Sequence, residues 1–266
     1  MPTMGMTETM ATSASNKDWI VPDWPAPARV RSVITSRDGG VSVAPYRSLN
    51  LGDHVGDDPL AVAANRQRLG RSLPRAPCWL HQVHGTTVVD AAVAAAGAPV
   101  PTADAAFARG VTAVCAVMTA DCLPVLFCDR SASVVAAAHA GWRGLHAGIL
   151  ERTVAAMAVP GEQLLAYLGP AIGPGAFAVG DDVRTLFVDA HRQAAAAFQS
   201  VEATPTGRGG WLADIYLLAR QGLQRIGVNA IHGGGFCTVT QASRFFSYRR
   251  DGVTGRMASL IWLSDD

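Results

Sequence analysis

Three residues able to ligate a metal or act as nucleophile and base stand where apolar runs meet glycine turns. His84 lies in Gln82-Val83-His84-Gly85, Cys122 in Thr119-Ala120-Asp121-Cys122-Leu123-Pro124, and His139 opens His139-Ala140-Gly141-Trp142-Arg143-Gly144. Strand ends beside tight turns suit site residues, because the scaffold is rigid and the turn exposes the side chain. Two imidazoles and a thiolate suit zinc or another borderline metal, and three protein ligands leave a fourth tetrahedral position open, the catalytic arrangement. The spacings match no finger-like pattern. The same residues allow a second chemistry, in which Cys122 beside a histidine is a thiolate nucleophile and no metal is needed.

The other histidines and cysteines have weaker contexts. Cys115 and Cys128 sit inside apolar runs and read as core. His81, three residues before His84, would share its face only on a helix, and the segment reads as extended. His54 is a lesser candidate, in a loop rich in glycine and aspartate. Arginines supply the third ingredient. Arg143 follows the His139 turn at a helix start, and Arg249 and Arg250 follow Phe245-Phe246-Ser247-Tyr248. Guanidinium groups together with helix N-terminal amides bind phosphate or another anion. The plain alternative for Arg143 is a surface pairing with Glu151. Phe245 and Phe246 read as core before they read as a stacking platform.

The elements that position these residues alternate irregularly. A strand is expected over 30–34, and a helix capped by Asp57 or Asp58, with Pro59 in its first turn, running to about Leu69. Residues 78–90 suggest two short strands about Gly85. Buried strands are expected over 111–119, 124–129 and 133–139, then a helix over 145–158 and a strand at LLAYLGP. Helices follow over 181–198 and 212–226, with strands near 229–237, 245–249 and 257–263. No strict βαβ repeat appears, so the pattern predicts α/β with mixed sheets.

The chain has 266 residues, 49% of them apolar, enough for one large core. A polar lead over 1–17, expected to be disordered, precedes a single catalytic domain over 18–266. The net charge of +1 and the lack of basic blocks argue against nucleic acid. No run reaches the ~18 apolar residues of a membrane span. The lead resembles no signal peptide, and five cysteines without a CxxC pair point to a reducing, cytoplasmic setting.

Together the motifs resemble the YfiH family, also called the multicopper polyphenol oxidase, laccase-like or peptidoglycan editing factor family. The matching pieces are SLNLGDHVGDD, WLHQVHGTTVV, MTADCLPVLFCD, AAAHAGWRGLHAGIL, LGPAIGPGAFAVGDDV and FFSYRRDGVTGRMASLIWL, spanning about residues 47–263 in the family's order. The resemblance implies an α/β/β/α sandwich and a zinc site made by His84, Cys122 and His139. It implies phosphorolysis of the purine nucleosides adenosine, inosine, guanosine and methylthioadenosine, with adenosine deamination alongside. Phosphate would be positioned by Arg143 and Arg249. The family's older label implies copper and phenol oxidation, but seven scattered histidines with no HxH pair offer no cluster for reducing oxygen. A third activity, editing of peptidoglycan precursors, would be hydrolase-like and use Cys122 directly. One departure stands out. The family's cysteine pair and tyrosine after the IGP turn are replaced here by Gly175, Ala176 and Phe177, which puts any role of those groups in substrate choice in doubt.

Overall fold

A four-stranded and a six-stranded sheet lie face to face and account for most of the interior. The computed structural model describes residues 19–94, 99–202 and 210–265; the N-terminal lead and residues 95–98 of the alanine-rich stretch fall outside them. The smaller sheet has the order β1 (Val30–Ile34), β13 (Met257–Leu263), β5 (Val114–Thr119), β2 (Pro77–Cys78). The larger has the order β12 (Ala230–Gly233), β8 (Leu164–Leu168), β6 (Leu123–Asp129), β7 (Val134–Ala140), β4 (Ala105–Arg109), β3 (Val88–Asp90). Both are mixed: β2–β5, β3–β4 and β8–β12 pair in parallel and the rest antiparallel.

Strand alternation explains the layering. On β6 and β7, Leu123, Val125, Phe127, Val134, Ala136 and Ala138 face one cluster, which contains Ile149, Leu150 and Met157 of helix α4 (Ile149–Met157) and Leu218 and Leu223 of α6 (Ile215–Arg225). Their neighbours Leu126, Cys128, Val135 and Ala137 face the other sheet, meeting Cys115, Val117 and Ile261. That sheet's outer face, with Ala116, Met118 and Leu260, packs on Leu69 of α1 (Pro59–Gly70). The result is an α/β/β/α sandwich whose larger sheet is buried on both sides. This explains why β5, β6 and β7 read as continuous apolar runs.

Local signals account for several boundaries. Asp58 caps α1 by accepting from Leu60 N, with Pro59 in the first turn. Four expectations are corrected. The helix expected over 145–158 is two helices, α3 (Trp142–Ala147) and α4, broken at Gly148, whose φ of +95° is a left-handed conformation suited to glycine. The helix over 181–198 stops at α5 (Asp181–Ala190), followed by a 3₁₀ segment and strand β10 (Phe198–Val201). That strand, β9 (Ala178–Val179) and β11 (Gly210–Ala213) form a small third sheet, so the helix expected from 212 starts at 215. The strand expected near 245–249 is absent. Phe245 and Phe246 are both fully buried instead of alternating, and the Ser247 hydroxyl accepts from Arg250 N to start α7 (Tyr248–Asp251).

Candidate active site

Register places the site at one end of the larger sheet. Strand β7 runs antiparallel to both β6 and β4, with Leu123 opposite Ala140 and Ala105 opposite Ala138. Cys122 therefore precedes β6 at the end where His139 leaves β7, and Asp104 precedes β4 at that same end. Strand β3 lies parallel to β4, with Val88 opposite Ala105, which brings the turn carrying His84 there too.

The ligand atoms of His84, Cys122 and His139 all lie within 4.8 Å of one another. The His84 Nε2–Cys122 Sγ separation is 3.7 Å, against roughly 3.6 Å expected for two such ligands on one tetrahedral zinc. The donor set and its spacing fit that ion. His139 is buried, Cys122 half-buried and His84 exposed, so the cluster opens towards the cavity on one side.

Asp104, fully buried, organises both histidines. Its carboxylate accepts the backbone N–H groups of Val83 at 3.2 Å, His84 at 2.9 Å and Gly85 at 2.7 Å. This holds the turn in which His84 takes a φ of +61°. Asp104 Oδ1 also lies 2.8 Å from His139 Nδ1. An ionised carboxylate only accepts, so Nδ1 carries the proton and Nε2 is left for the site. Burial alone would raise the Asp104 pKa, but these hydrogen bonds outweigh it and hold it low.

Asp121, with a φ of +91°, shapes the Cys122 turn. Its side chain accepts from Thr238 Oγ1 and Arg249 N, both at 2.6 Å, tying this turn to α7. Gly141 is required for close approach: a Cβ there would stand 2.9 Å from Cys122 Sγ and 3.0 Å from His84 Cδ2.

The cysteines separate electrostatically. Burial would raise the Cys122 pKa, yet the His139 charge and the hydrogen bonds of both histidines pull it well below the usual thiol value. In turn, the Cys122 thiolate and Asp104 raise His139 against its burial. Burial pushes Cys128 up to about 12, Cys78 up to about 11, and Cys115 well above the ordinary range. The cluster thus favours a thiolate beside an imidazolium, and a bound metal would take the place of the shared proton.

A cavity of about 550 Å³ lies over the cluster, within the usual size of a small-molecule site. Ile172, Phe177, Ile215 and Trp142 give it apolar wall, and Arg143, Arg249 and Arg256 line it as well. The plain alternative for Arg143, a pairing with Glu151, is not formed: Glu151 pairs with Arg225 at 3.8 Å, while the Arg143 guanidinium stacks 4.3 Å from the Trp142 ring centre. Arg249 donates from Nη1 to the carbonyls of Ala178 at 3.0 Å and Ala176 at 3.4 Å, and lies over Phe177. Arg250 is turned away, paired with Asp251 at 2.7 Å. His54 lines the cavity; His81 does not. Asp104, Asp121 and Arg256 were not singled out from sequence. Asp121 and Arg256 do lie in the quoted motif segments; Asp104 lies outside them.

A thiol–imidazole cluster beneath an arginine-lined cavity, at the end of an α/β/β/α sandwich, defines a small-molecule site in which a metal or a nucleophile can work. The chain belongs to the YfiH family: the model described as multi-copper polyphenol oxidoreductase laccase matches residues 31–264. It is 58% identical to a purine nucleoside phosphorylase of Pseudomonas aeruginosa, over 93% of this chain and 99% of that one. It is 53% identical to purine nucleoside phosphorylase YfiH of Escherichia coli, over 92% and 98%. A crystal structure of a Neisseria meningitidis protein matches with a TM-score of 0.89 and 53% identity, over 93% of this chain and 99% of that one. YlmD of Geobacillus stearothermophilus matches with a TM-score of 0.78 and 32% identity, over 91% and 94%.

Proposed function

We propose that the protein is a zinc-dependent purine nucleoside phosphorylase. It cleaves the N-glycosidic bond of adenosine, inosine, guanosine and methylthioadenosine with phosphate, and deaminates adenosine alongside. The observation that carries this reading is the convergence of His84, Cys122 and His139 under a nucleoside-sized cavity lined with arginines. Relatives named purine nucleoside phosphorylase, identical over half their positions or more, support it.

The residues have separable tasks. Cys122, held as a thiolate near neutral pH, would ligate with little cost of deprotonation, while His139, oriented by Asp104, would give up its Nε2 proton as the metal binds. When bound, zinc supplies a Lewis acid with one open position. The apolar wall of Ile172, Phe177 and Ile215 excludes water from the base. Arg143 positions phosphate, and its stacking on Trp142 limits the guanidinium's freedom before the anion arrives. In the reaction a phosphate oxygen bonds to the sugar's anomeric carbon as the bond to the base nitrogen breaks. The bonding pair leaves with the base. The five free cysteines support a reducing, cytoplasmic setting.

Metal analysis combined with product identification tests the reading. About one zinc per chain, and sugar 1-phosphate plus free base formed only when phosphate is present, are expected. Arg143→Ala should raise the phosphate requirement strongly with the metal retained, and Arg143→Lys should rescue in part, because it keeps charge but loses the planar fork. A metal-free active protein, or phosphate-independent cleavage, would overturn it.

One observation favours a second reading. Cys122, His139 and Asp104 also form a nucleophile, a base and an orienting carboxylate, the arrangement a metal-free peptidoglycan-precursor hydrolase would use. Full activity after exhaustive chelation distinguishes it. For copper oxidation nothing comparable stands: among the described residues His84, Cys122 and His139 form the one group of three or more close ligands, and multi-copper chemistry needs a further histidine cluster.

A further inference from the structure

Arg256 is a half-buried cation that lines the cavity without an acidic partner among the described residues. Among the described residues no carboxylate lies within ion-pairing distance of it. A buried charge is costly unless something compensates it. Burial indeed lowers its pKa, against the attraction of the Cys122 and Asp121 charges.

Its setting is built to aim one edge. The backbone is pinned by Arg256 N donating to Asn50 Oδ1 at 2.9 Å and by Leu51 N donating to Arg256 O at 3.2 Å. Nη1 is spent on the carbonyls of Thr254 at 3.0 Å and Gly255 at 3.1 Å. Among the described residues Nε and Nη2 have no hydrogen-bond acceptor, and neither is a fully buried orphan. Those two groups form the side-on edge that meets two oxygens of an oxyanion at once. The stem passes over Gly52, where a Cβ would stand 2.8 Å from Arg256 Cγ. His54 also lines the cavity, and burial and the Arg256 charge lower its pKa against the pull of Asp53. Backbone carbonyls alone do not explain an arginine here, since a lysine ammonium could serve them.

We infer that Arg256 is a principal phosphate-binding residue, gripping the anion through its Nε–Nη2 edge with Arg143 as the second cation. Arg249, tied through Nη1 to the carbonyls of Ala176 and Ala178, fastens that segment over the cavity. The inference rests on the phosphorolysis reading and adds the residue that fixes where the attacking anion sits.

Calorimetric titration of inorganic phosphate into the metal-loaded full chain tests it, with Arg256→Gln, Arg256→Lys and Gly52→Ala. Arg256→Gln should weaken phosphate roughly ten- to hundredfold, as expected for a lost two-point charged hydrogen bond. Arg256→Lys should fall between. Gly52→Ala keeps every charge but displaces the stem, so it too should weaken phosphate, and it decides the matter if Arg256→Gln does not fold. Inosine affinity measured without phosphate should stay within about twofold. Wild-type phosphate affinity in folded Arg256→Gln, or equal loss of both ligands, overturns the inference. A wild-type protein that binds no phosphate overturns the phosphorolysis reading itself.

Discussion

His139 Nδ1 donates to Asp104 Oδ1 at 2.8 Å, and the same oxygen accepts the backbone N–H of His84 at 2.9 Å. One buried carboxylate therefore sets the tautomer of one histidine and the backbone turn of the other. Asp104→Asn keeps the volume but loses the charge and turns an amide towards N–H donors. Partners of this kind typically contribute 10–100-fold in metal affinity. Zinc affinity, measured by chelator competition, should fall by about that factor in a folded protein. An unchanged affinity would sink the role.

The cysteines should divide sharply. Cys122→Ser replaces a thiolate poised near neutral pH with a hydroxyl that does not ionise there, so metal and activity should both be lost. Cys115→Ser and Cys128→Ser place a hydroxyl in fully buried sites between the sheets. They should cost roughly 1–3 kcal/mol of stability and leave metal content alone. Metal analysis beside denaturant unfolding checks all three. Loss of metal in Cys115→Ser with retention in Cys122→Ser would reverse the assignment.

Gly141 offers a test that touches no ligand. Its φ of −59° and ψ of 156° are ordinary for alanine, so Gly141→Ala creates no backbone strain. The new methyl would instead press on Cys122 Sγ and His84 Cδ2. Metal affinity should drop about tenfold or more while folding is preserved. Equal metal affinity in the variant would show that the cluster is looser than its spacing implies.

Asp129 closes the β6–β7 connection. Its carboxylate accepts from Ser131 Oγ, from Ser133 N and Oγ at 2.7 Å, and from Val134 N at 3.0 Å. Burial would raise its pKa, but these bonds outweigh it and hold it below the usual 3.8. A depressed pKa stabilises the fold above the unfolded value, and that contribution is lost as pH falls through the folded one. Asp129→Asn should cost roughly 1.5–3 kcal/mol at neutral pH. The gap from wild type should close as pH falls below about 3.8, read by urea unfolding at several pH values. A gap independent of pH would count against this role for the charge.

Much of this was legible along the chain because its causes are local. Asp58 and Pro59 announce α1, the apolar runs announce β5 to β7, and His84, Cys122 and His139 are reactive types beside glycine turns. The quoted motifs carried the family and the α/β/β/α sandwich. Where local readings failed, tertiary packing overrode them. Gly148 splits a helix to bend the chain, and the strand expected near 245–249 gave way because Phe245 and Phe246 are both fully buried in the core between the sheets. Asp104 and Arg256 stayed invisible for another reason. Each is a single polar residue beside an apolar run, no different in sequence from a solvated strand end. Only the antiparallel register of β4, β6 and β7 sets Asp104 against His139, 35 residues away in sequence. Only the return of β13 brings Arg256 to the loop of Asn50 and Gly52. Sequence determined which groups were available; long-range pairing decided which of them face one another, because a carboxylate or guanidinium acquires its chemistry from neighbours that the chain order does not supply.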